Sequence, residues 1–258
     1  MTEPPLGPPF TGVAVALATL FDDSGELDAR GTAAHAARLV EAGVRAVVTA
    51  GSTGEAAALS PAERVTLLEA VRAAVPTSVP VLAGTGAPSV RQAVALTTDA
   101  RKHGADGVLA LSPPGSRRLL DYYSAVADAA GELPVLGYHF PNSSAPGIPI
   151  DVLPTLPLDG LKDSSGDPER MLVELDRFNG WLYVGSAVVL AYAGPLGCSG
   201  AILQLANAEP ELCVAAFGGD RAAQRELLPA HLQVRQEFPR GLKQLMSSRY
   251  GVSPTCRL

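Results

Sequence analysis

The sequence predicts a (β/α)₈ barrel, a TIM barrel of the α/β class, with a C-terminal helical extension. Three observations predict it. Short β-like runs alternate with longer Ala/Leu/Arg-rich stretches of helical period, strand before helix throughout. That order favours a closed barrel over an open doubly wound sheet. The strand runs are apolar rather than alternating, as for parallel strands covered on both faces. The 258 residues suit one barrel of ~250 residues. The rival is an open Rossmann-like sheet, whose GxGxxG fingerprint is absent after the first strand.

The first strand is read at residues 13–19, with a helix over 28–41. The second, 45–50, leads to a helix over 61–74 with a marked start. Ser60 is its N-cap candidate, Pro61 occupies the first helical position, and Glu63 can close a capping box. The remaining pairs are 79–83 with 89–103, 107–111 with 118–130, 134–138 with 150–156, 159–162 with 168–178, 182–185 with 187–196, and 200–203 with 209–217. Helical stretches over 221–237 and 241–250 follow. The barrel is thus expected over 11–218 and the extension over 219–258, as one domain unit, because no low-complexity linker divides them.

Composition excludes several classes. With 47% hydrophobic and 18% charged residues, the chain can bury a large core and is not a disordered one. A net charge of −6 without a Lys/Arg-rich stripe argues against a nucleic-acid partner. Cys198, Cys213 and Cys256 are scattered and form no CxxC pair, which fits a reducing cytoplasm. The proline-rich start lacks a basic n-region, so no signal peptide is expected. No apolar run reaches the ~18 residues of a membrane span, so no membrane partner is expected either.

A barrel keeps its chemistry at the C-terminal ends of its strands. The second strand ends in Gly51-Ser52-Thr53-Gly54-Glu55, the fifth in Tyr138-His139-Phe140-Pro141, the sixth in Lys162-Asp163-Ser164-Ser165-Gly166 and the seventh in Gly185-Ser186-Ala187. The lysines are Lys102, Lys162 and Lys243, every other fixed cation being Arg. Lys102 and Lys243 lie on helices and read as solvated. Lys162 ends an apolar strand. An amine there can attack a carbonyl, which a guanidinium cannot; the other reading is an ion pair with Asp163, and spacing alone does not choose.

The Gly-Ser-Thr-Gly-Glu turn offers backbone N–H groups and two hydroxyls, a nest suited to a carboxylate, or it is an ordinary glycine-rich turn. Tyr138 is either a proton shuttle or a rim aromatic. Strand alternation points His139 away from Tyr138, into packing. His35, His103, His139 and His231 show no metal-ligand spacing, and no GxSxG nucleophile elbow is present.

The order Gly-Ser-Thr-Gly-Glu, Tyr-x-x-Pro, Gly-Leu-Lys-Asp-Ser-Ser-Gly-Asp and Gly-Ser-Ala resembles the dihydrodipicolinate synthase / N-acetylneuraminate lyase family, from about Thr11 onward. The resemblance implies a pyruvate-type class I aldolase. Under it Lys162 matches the Schiff-base lysine, and Tyr138 matches the tyrosine that hydrogen-bonds the substrate carboxylate and shuttles protons. Ser52, Thr53 and Gly54 match the loop that holds that carboxylate, with Thr53 also in the proton relay. Gly185 matches a glycine lining the pocket, and Ile202 a backbone carbonyl position near the lysine. The substrate is a small 2-oxo acid, no cofactor or metal is required, and a homo-oligomer (dimer or tetramer) is expected.

Two departures bear on the substrate. The family's synthases carry Tyr-Tyr-Asn after strand four, where this chain has Ser112-Pro113-Pro114-Gly115-Ser116. They also carry an arginine shortly after Tyr-x-x-Pro, for the second substrate's carboxylate, where this chain has Asn142-Ser143-Ser144-Ala145. The motifs look more like members that cleave or dehydrate sugar-derived or hydroxylated 2-oxo acids, as carbon-carbon lyases or hydro-lyases; examples are aldolases acting on 2-keto-3-deoxygluconate or 4-hydroxy-2-oxoglutarate. The alternatives are the synthase reaction with aspartate semialdehyde, with Arg117 or Arg118 replacing the lost arginine, and a 2-oxo-acid-binding module without turnover. The last helix also looks short against the family pattern, which bears on subunit contacts.

Overall fold

A computed structural model describes residues 7–115 and 118–258. Eight parallel strands close into a barrel in sequence order: β1 (Gly12–Ala16), β2 (Ala46–Thr49), β3 (Val81–Gly84), β4 (Gly107–Leu111), β5 (Val135–His139), β6 (Gly160–Asp163), β7 (Trp181–Val184) and β8 (Gly200–Leu203). The helices around and after it are α1 (Ala29–Glu41), α2 (Pro61–Ala74), α3 (Val90–Lys102), α4 (Leu119–Ala130), α5 (Pro168–Arg177), α6 (Leu190–Ala193), α7 (Pro210–Phe217), α8 (Arg221–Glu226), α9 (Leu228–Gln236) and α10 (Arg240–Tyr250). The chain is therefore a (β/α)₈ barrel with C-terminal helices.

The capping box forms as expected: the Ser60 N–H donates to Glu63 Oε2 at 2.8 Å, and the Glu63 N–H donates to Ser60 Oγ at 3.2 Å. Several elements depart from the sequence reading. The first strand stops at Ala16 rather than residue 19. After β5, the helix expected over 150–156 is one 3₁₀ turn, Leu153–Thr155. Pro154 removes a donor that an α-helix would need there, and Pro149 and Pro157 bound the stretch on either side. The stretch over 187–196 forms a 3₁₀ turn, Ala187–Val189, and the four-residue α6, ending before Gly194-Pro195. The stretch over 221–237 divides at Leu227, since Pro229 cannot continue the ladder from α8 and instead sits in the first turn of α9.

Strand alternation builds two cores. Ala14, Ala16, Val48, Leu82, Leu109, Leu136 and Ile202 fill the barrel interior. Phe10 closes it from the N-terminal side, stacked on Tyr183 with ring centroids 4.6 Å apart. The outward positions, including Val13, Val15, Val47 and Leu161, pack under the helices. Beyond β8, α9 packs against the 3₁₀ turns that follow β7 and β8, anchored by the buried Leu227 and Val234. This contact brings α9 to the end of the barrel where the strands finish.

Candidate active site

Alternation along β5 and β6 decides which side chains meet. Tyr138 pairs with Lys162 in register, and His139 with Asp163. Tyr138 and Lys162 point inward, and the Lys162 Nζ lies over the Tyr138 ring, 4.2 Å from its centroid. The phenol also packs in near-parallel fashion on Phe140, centroids 5.7 Å apart. Both Tyr138 and Lys162 are buried apart from their share of one cavity.

Asp163 points outward, away from Lys162, and accepts from the Ser165 N–H at 2.9 Å and the Ser165 hydroxyl at 2.7 Å. His139 packs beside it, with Nε2 3.9 Å from Asp163 Oδ1 and Nδ1 accepting from the Ile148 N–H at 2.8 Å. Burial lowers His139 to about 4, so this ring is neutral at pH 7. Arg170 completes the outer layer, 2.7 Å from Glu174 Oε1 and 3.8 Å from Asp163 Oδ1. One guanidinium thus faces two buried carboxyl groups. Burial outweighs its attraction and pushes Glu174 up to about 8, and burial raises Asp163 as well.

The turn after β2 is bracketed by two non-glycine residues in the left-handed region, Ala50 at φ 49° and Glu55 at φ 53°. Such residues persist only where the surroundings over-determine them. Gly84 makes the first possible, because a Cβ there would meet the Ala50 carbonyl at 2.2 Å. Gly54 packs on β1's end, its carbonyl accepting from the Thr19 hydroxyl at 2.7 Å. Glu55 is buried, with Oε1 2.6 Å from Lys243 Nζ and Oε2 accepting from the Arg257 and Leu258 N–H groups at 2.7 and 2.9 Å. The expectation of a solvated Lys243 is thereby overturned. This lysine is shut off from solvent, and its amine also donates to the Thr255 carbonyl at 2.6 Å. Lys102 is exposed, as expected.

The inward residues open on a cavity of about 600 Å³. Ser52, Thr53, Tyr138, Lys162 and Gly185 all line it. Gly185 leaves the lysine its room: a Cβ there would sit 2.9 Å from Lys162 Cε and 1.8 Å from Ser164 Oγ. Gly54 and Ile202 are not among the lining residues; Ile202 is fully buried in the barrel interior. Asn142 and Ser143 reach the cavity, whereas buried Ser144 donates its hydroxyl to the Ser112 carbonyl. Arg118 occupies the N-cap position of α4 and pairs with Asp121 at 2.5 Å; Arg117 lies outside the described residues.

Sequence reasoning did not find the far wall of this cavity. His231, Val234 and Arg235 of α9 line it, with Gln204 after β8. No local motif announces them, because they reach the mouth only through the way α9 folds back. Among the described residues, no three His, Cys, Asp or Glu side chains are gathered as a metal site would require. No helix among them is long and apolar enough to cross a membrane.

Known proteins share this chain's sequence pattern and its fold. The model of the Dihydrodipicolinate synthetase family matches residues 9–257. A DapA-like lyase of Halobacterium salinarum is 36% identical over 250 residues, 92% of this chain and 81% of that protein. The 4-hydroxy-tetrahydrodipicolinate synthase of Natronomonas pharaonis is 36% identical over 233 residues, 84% of this chain and 79% of that protein. Among solved structures, a prophage protein of E. coli K12 belonging to the dihydrodipicolinic acid synthase family, in complex with pyruvate, superposes with a TM-score of 0.86. It is 27% identical, over 96% of this chain and 91% of that one.

Proposed function

The chain belongs to the Dihydrodipicolinate synthetase family, and from that membership we propose a lyase that works through an imine between Lys162 and a hydroxylated 2-oxo acid. The observation that carries the reading is the Lys162 amine over the Tyr138 ring, in one cavity with Ser52 and Thr53. The Lys162 nitrogen adds to C2 of the 2-oxo acid, and the former carbonyl oxygen takes up two protons and leaves as water. The resulting iminium is the electron sink, so no cofactor is required. A base removes the C4 hydroxyl proton, the C3–C4 bond breaks, and its electron pair enters the iminium. An aldehyde departs and an enamine remains. Protonation at C3 and addition of water release pyruvate and the free amine.

In this scheme Ser52 and Thr53 hold the carboxylate, and Tyr138 and Thr53 move the protons; Gly54 serves by shaping their turn, its N–H donating to the Gly51 carbonyl at 3.0 Å. Gly185 leaves room for the imine beside Lys162, and Ile202 packs in the barrel interior away from the cavity lining. The hydroxyls of Ser143, Ser164 and Ser186 on the cavity wall support a hydroxylated substrate. A second reading, condensation of pyruvate with aspartate semialdehyde, draws on the synthases among the relatives. The barrel and its C-terminal helices act as one unit, assembled as a dimer or tetramer. Exposed Leu172, Tyr192 and Leu196 around α5 and α6 support assembly, which native mass spectrometry reads directly. The three free cysteines support a cytoplasmic setting.

The test is reductive trapping. Incubation with pyruvate and borohydride, digestion and mass spectrometry are expected to place the adduct on Lys162. An adduct on Lys102 or Lys243 alone, or none, overturns the proposal.

A further inference from the structure

The chain as a whole is acidic, with a net charge of −6. Its cavity is not. The charged side chains that line it are Lys162 and Arg235, and no Asp or Glu is among the lining residues. In the proposed reaction Lys162 is bonded to C2 at the 2-oxo end, so Arg235 is the fixed charge left for the other end of the substrate. Its guanidinium is exposed, and among the described residues it forms no ion pair or hydrogen bond. It stands on α9, which packs on the turns after β7 and β8, so the backbone that carries it is fixed relative to β6.

His231, one helical turn before Arg235, lines the same wall. Burial and the Arg235 charge both hold its imidazole below the usual histidine range. At neutral pH it therefore adds a neutral hydrogen-bonding ring beside a permanent cation. A guanidinium with a neighbouring ring N–H is suited to carboxylate and phosphate oxygens, to which Arg donates in a planar fork.

We propose that Arg235 and His231 form a second anion site, which reads a terminal carboxylate or phosphate on the aldehyde end of the substrate. This rests on the imine reading, because that reading places the 2-oxo acid end at Lys162 and the nest of Ser52 and Thr53. The other end must then extend toward the opening, where α9 forms the wall. The preferred substrate is a hydroxylated 2-oxo acid with anions at both ends, its hydroxyls facing the serines.

The experiment compares cleavage of three compounds by the full-length protein, following pyruvate release. One is 2-keto-3-deoxygluconate, with a neutral tail. The second is its 6-phosphate ester, and the third is 4-hydroxy-2-oxoglutarate, with a terminal carboxylate. At least one anionic-tail compound is expected to exceed the neutral one in kcat/KM by about 10-fold or more, and which of them does so identifies the anion. In Arg235→Ala that ratio is expected to collapse by about 10–100-fold, the range for losing one charge-assisted partner. Arg235→Lys, which keeps the charge but not the fork, should retain part of it. A wild-type protein that favours the neutral tail, or a ratio unchanged in Arg235→Ala, overturns the inference. Absence of a pyruvate–borohydride adduct at Lys162 in the wild type instead overturns the imine reading beneath it.

Discussion

Lys243 and Glu55 form an ion pair, 2.6 Å from nitrogen to oxygen, in which both side chains are closed to solvent. The pair joins α10 to the turn that carries Ser52 and Thr53. It explains how Glu55 is kept in the left-handed region, since its carboxylate also accepts from the backbone of Arg257 and Leu258. Breaking one side of a buried pair typically costs about 3–5 kcal/mol, because the other charge is stranded. Lys243→Met is therefore expected to lower the Tm by about 6–20 °C, at about 2–4 °C per kcal/mol. The double variant Glu55→Gln/Lys243→Met should recover most of the loss, because a glutamine oxygen still accepts from both N–H groups. Thermal denaturation of the three proteins checks this. A single variant as stable as the wild type would show that the pair contributes nothing.

The barrel, and the gathering of Thr53, Tyr138 and Lys162 at the ends of its strands, were legible because they follow from local pattern, whereas the roles proposed for the three came from the family resemblance. Apolar runs, strand alternation and the ends of strands are all properties of neighbouring residues. Alternation also pointed His139 away from Tyr138, as the structure has it; Asp163 was open as a partner for Lys162, and only the structure turns it outward, onto Ser165. Lys243 shows where such reasoning stops. The preference for Arg over Lys on this surface singled out Lys162, and the same preference applied to Lys243, but a helical position suggested solvent. Its burial depends on the tail folding back over Glu55, a contact between distant segments. Arg235 was missed for the same reason, since its approach to the cavity is set by how α9 packs. The missing helix after β5 was more readable, because Pro149, Pro154 and Pro157 crowd one connection.

Tyr138→Phe separates chemistry from packing. The stacking on Phe140 and the ring beneath the Lys162 amine both survive the change. The variant should melt with the wild type but turn over about 10²–10⁴-fold more slowly, the range for losing a general acid/base. Near-normal kcat would reduce Tyr138 to a packing residue.

Glu174 makes stability depend on pH in an unusual direction for a carboxylate. Burial raises it from 4.5 to about 8, against the pull of Arg170. The folded state thus holds the proton more tightly than the unfolded one. Its contribution is full below about 4.5 and is lost as pH rises toward about 8. Glu174→Gln keeps a neutral side chain of the same shape at every pH. The Tm advantage of the variant over the wild type should therefore be small at the acid end of that window and grow by a few °C across it. A constant difference between the two proteins across the window would show that Glu174 does not titrate there.

Substrate choice follows from the cavity's charge. Aspartate semialdehyde brings a carboxylate and an ammonium. Arg235 can accept the carboxylate, but no acidic side chain lines the cavity to receive the ammonium. Where the family's synthases place an arginine, this chain offers Asn142 and Ser143, and the Ser144 hydroxyl is already engaged with the Ser112 carbonyl. Arg118 is paired with Asp121. A missing partner for a charged group typically costs about 1.5–3 kcal/mol, or roughly 10–150-fold in selectivity at about 1.4 kcal/mol per tenfold. Cleavage of a hydroxylated 2-oxo acid should therefore exceed condensation of pyruvate with aspartate semialdehyde by about that factor in kcat/KM, measured on one preparation. If the condensation is faster, an uncompensated ammonium is tolerated in this cavity. The chain is then a synthase, and the hydroxyls on its wall serve something other than substrate choice.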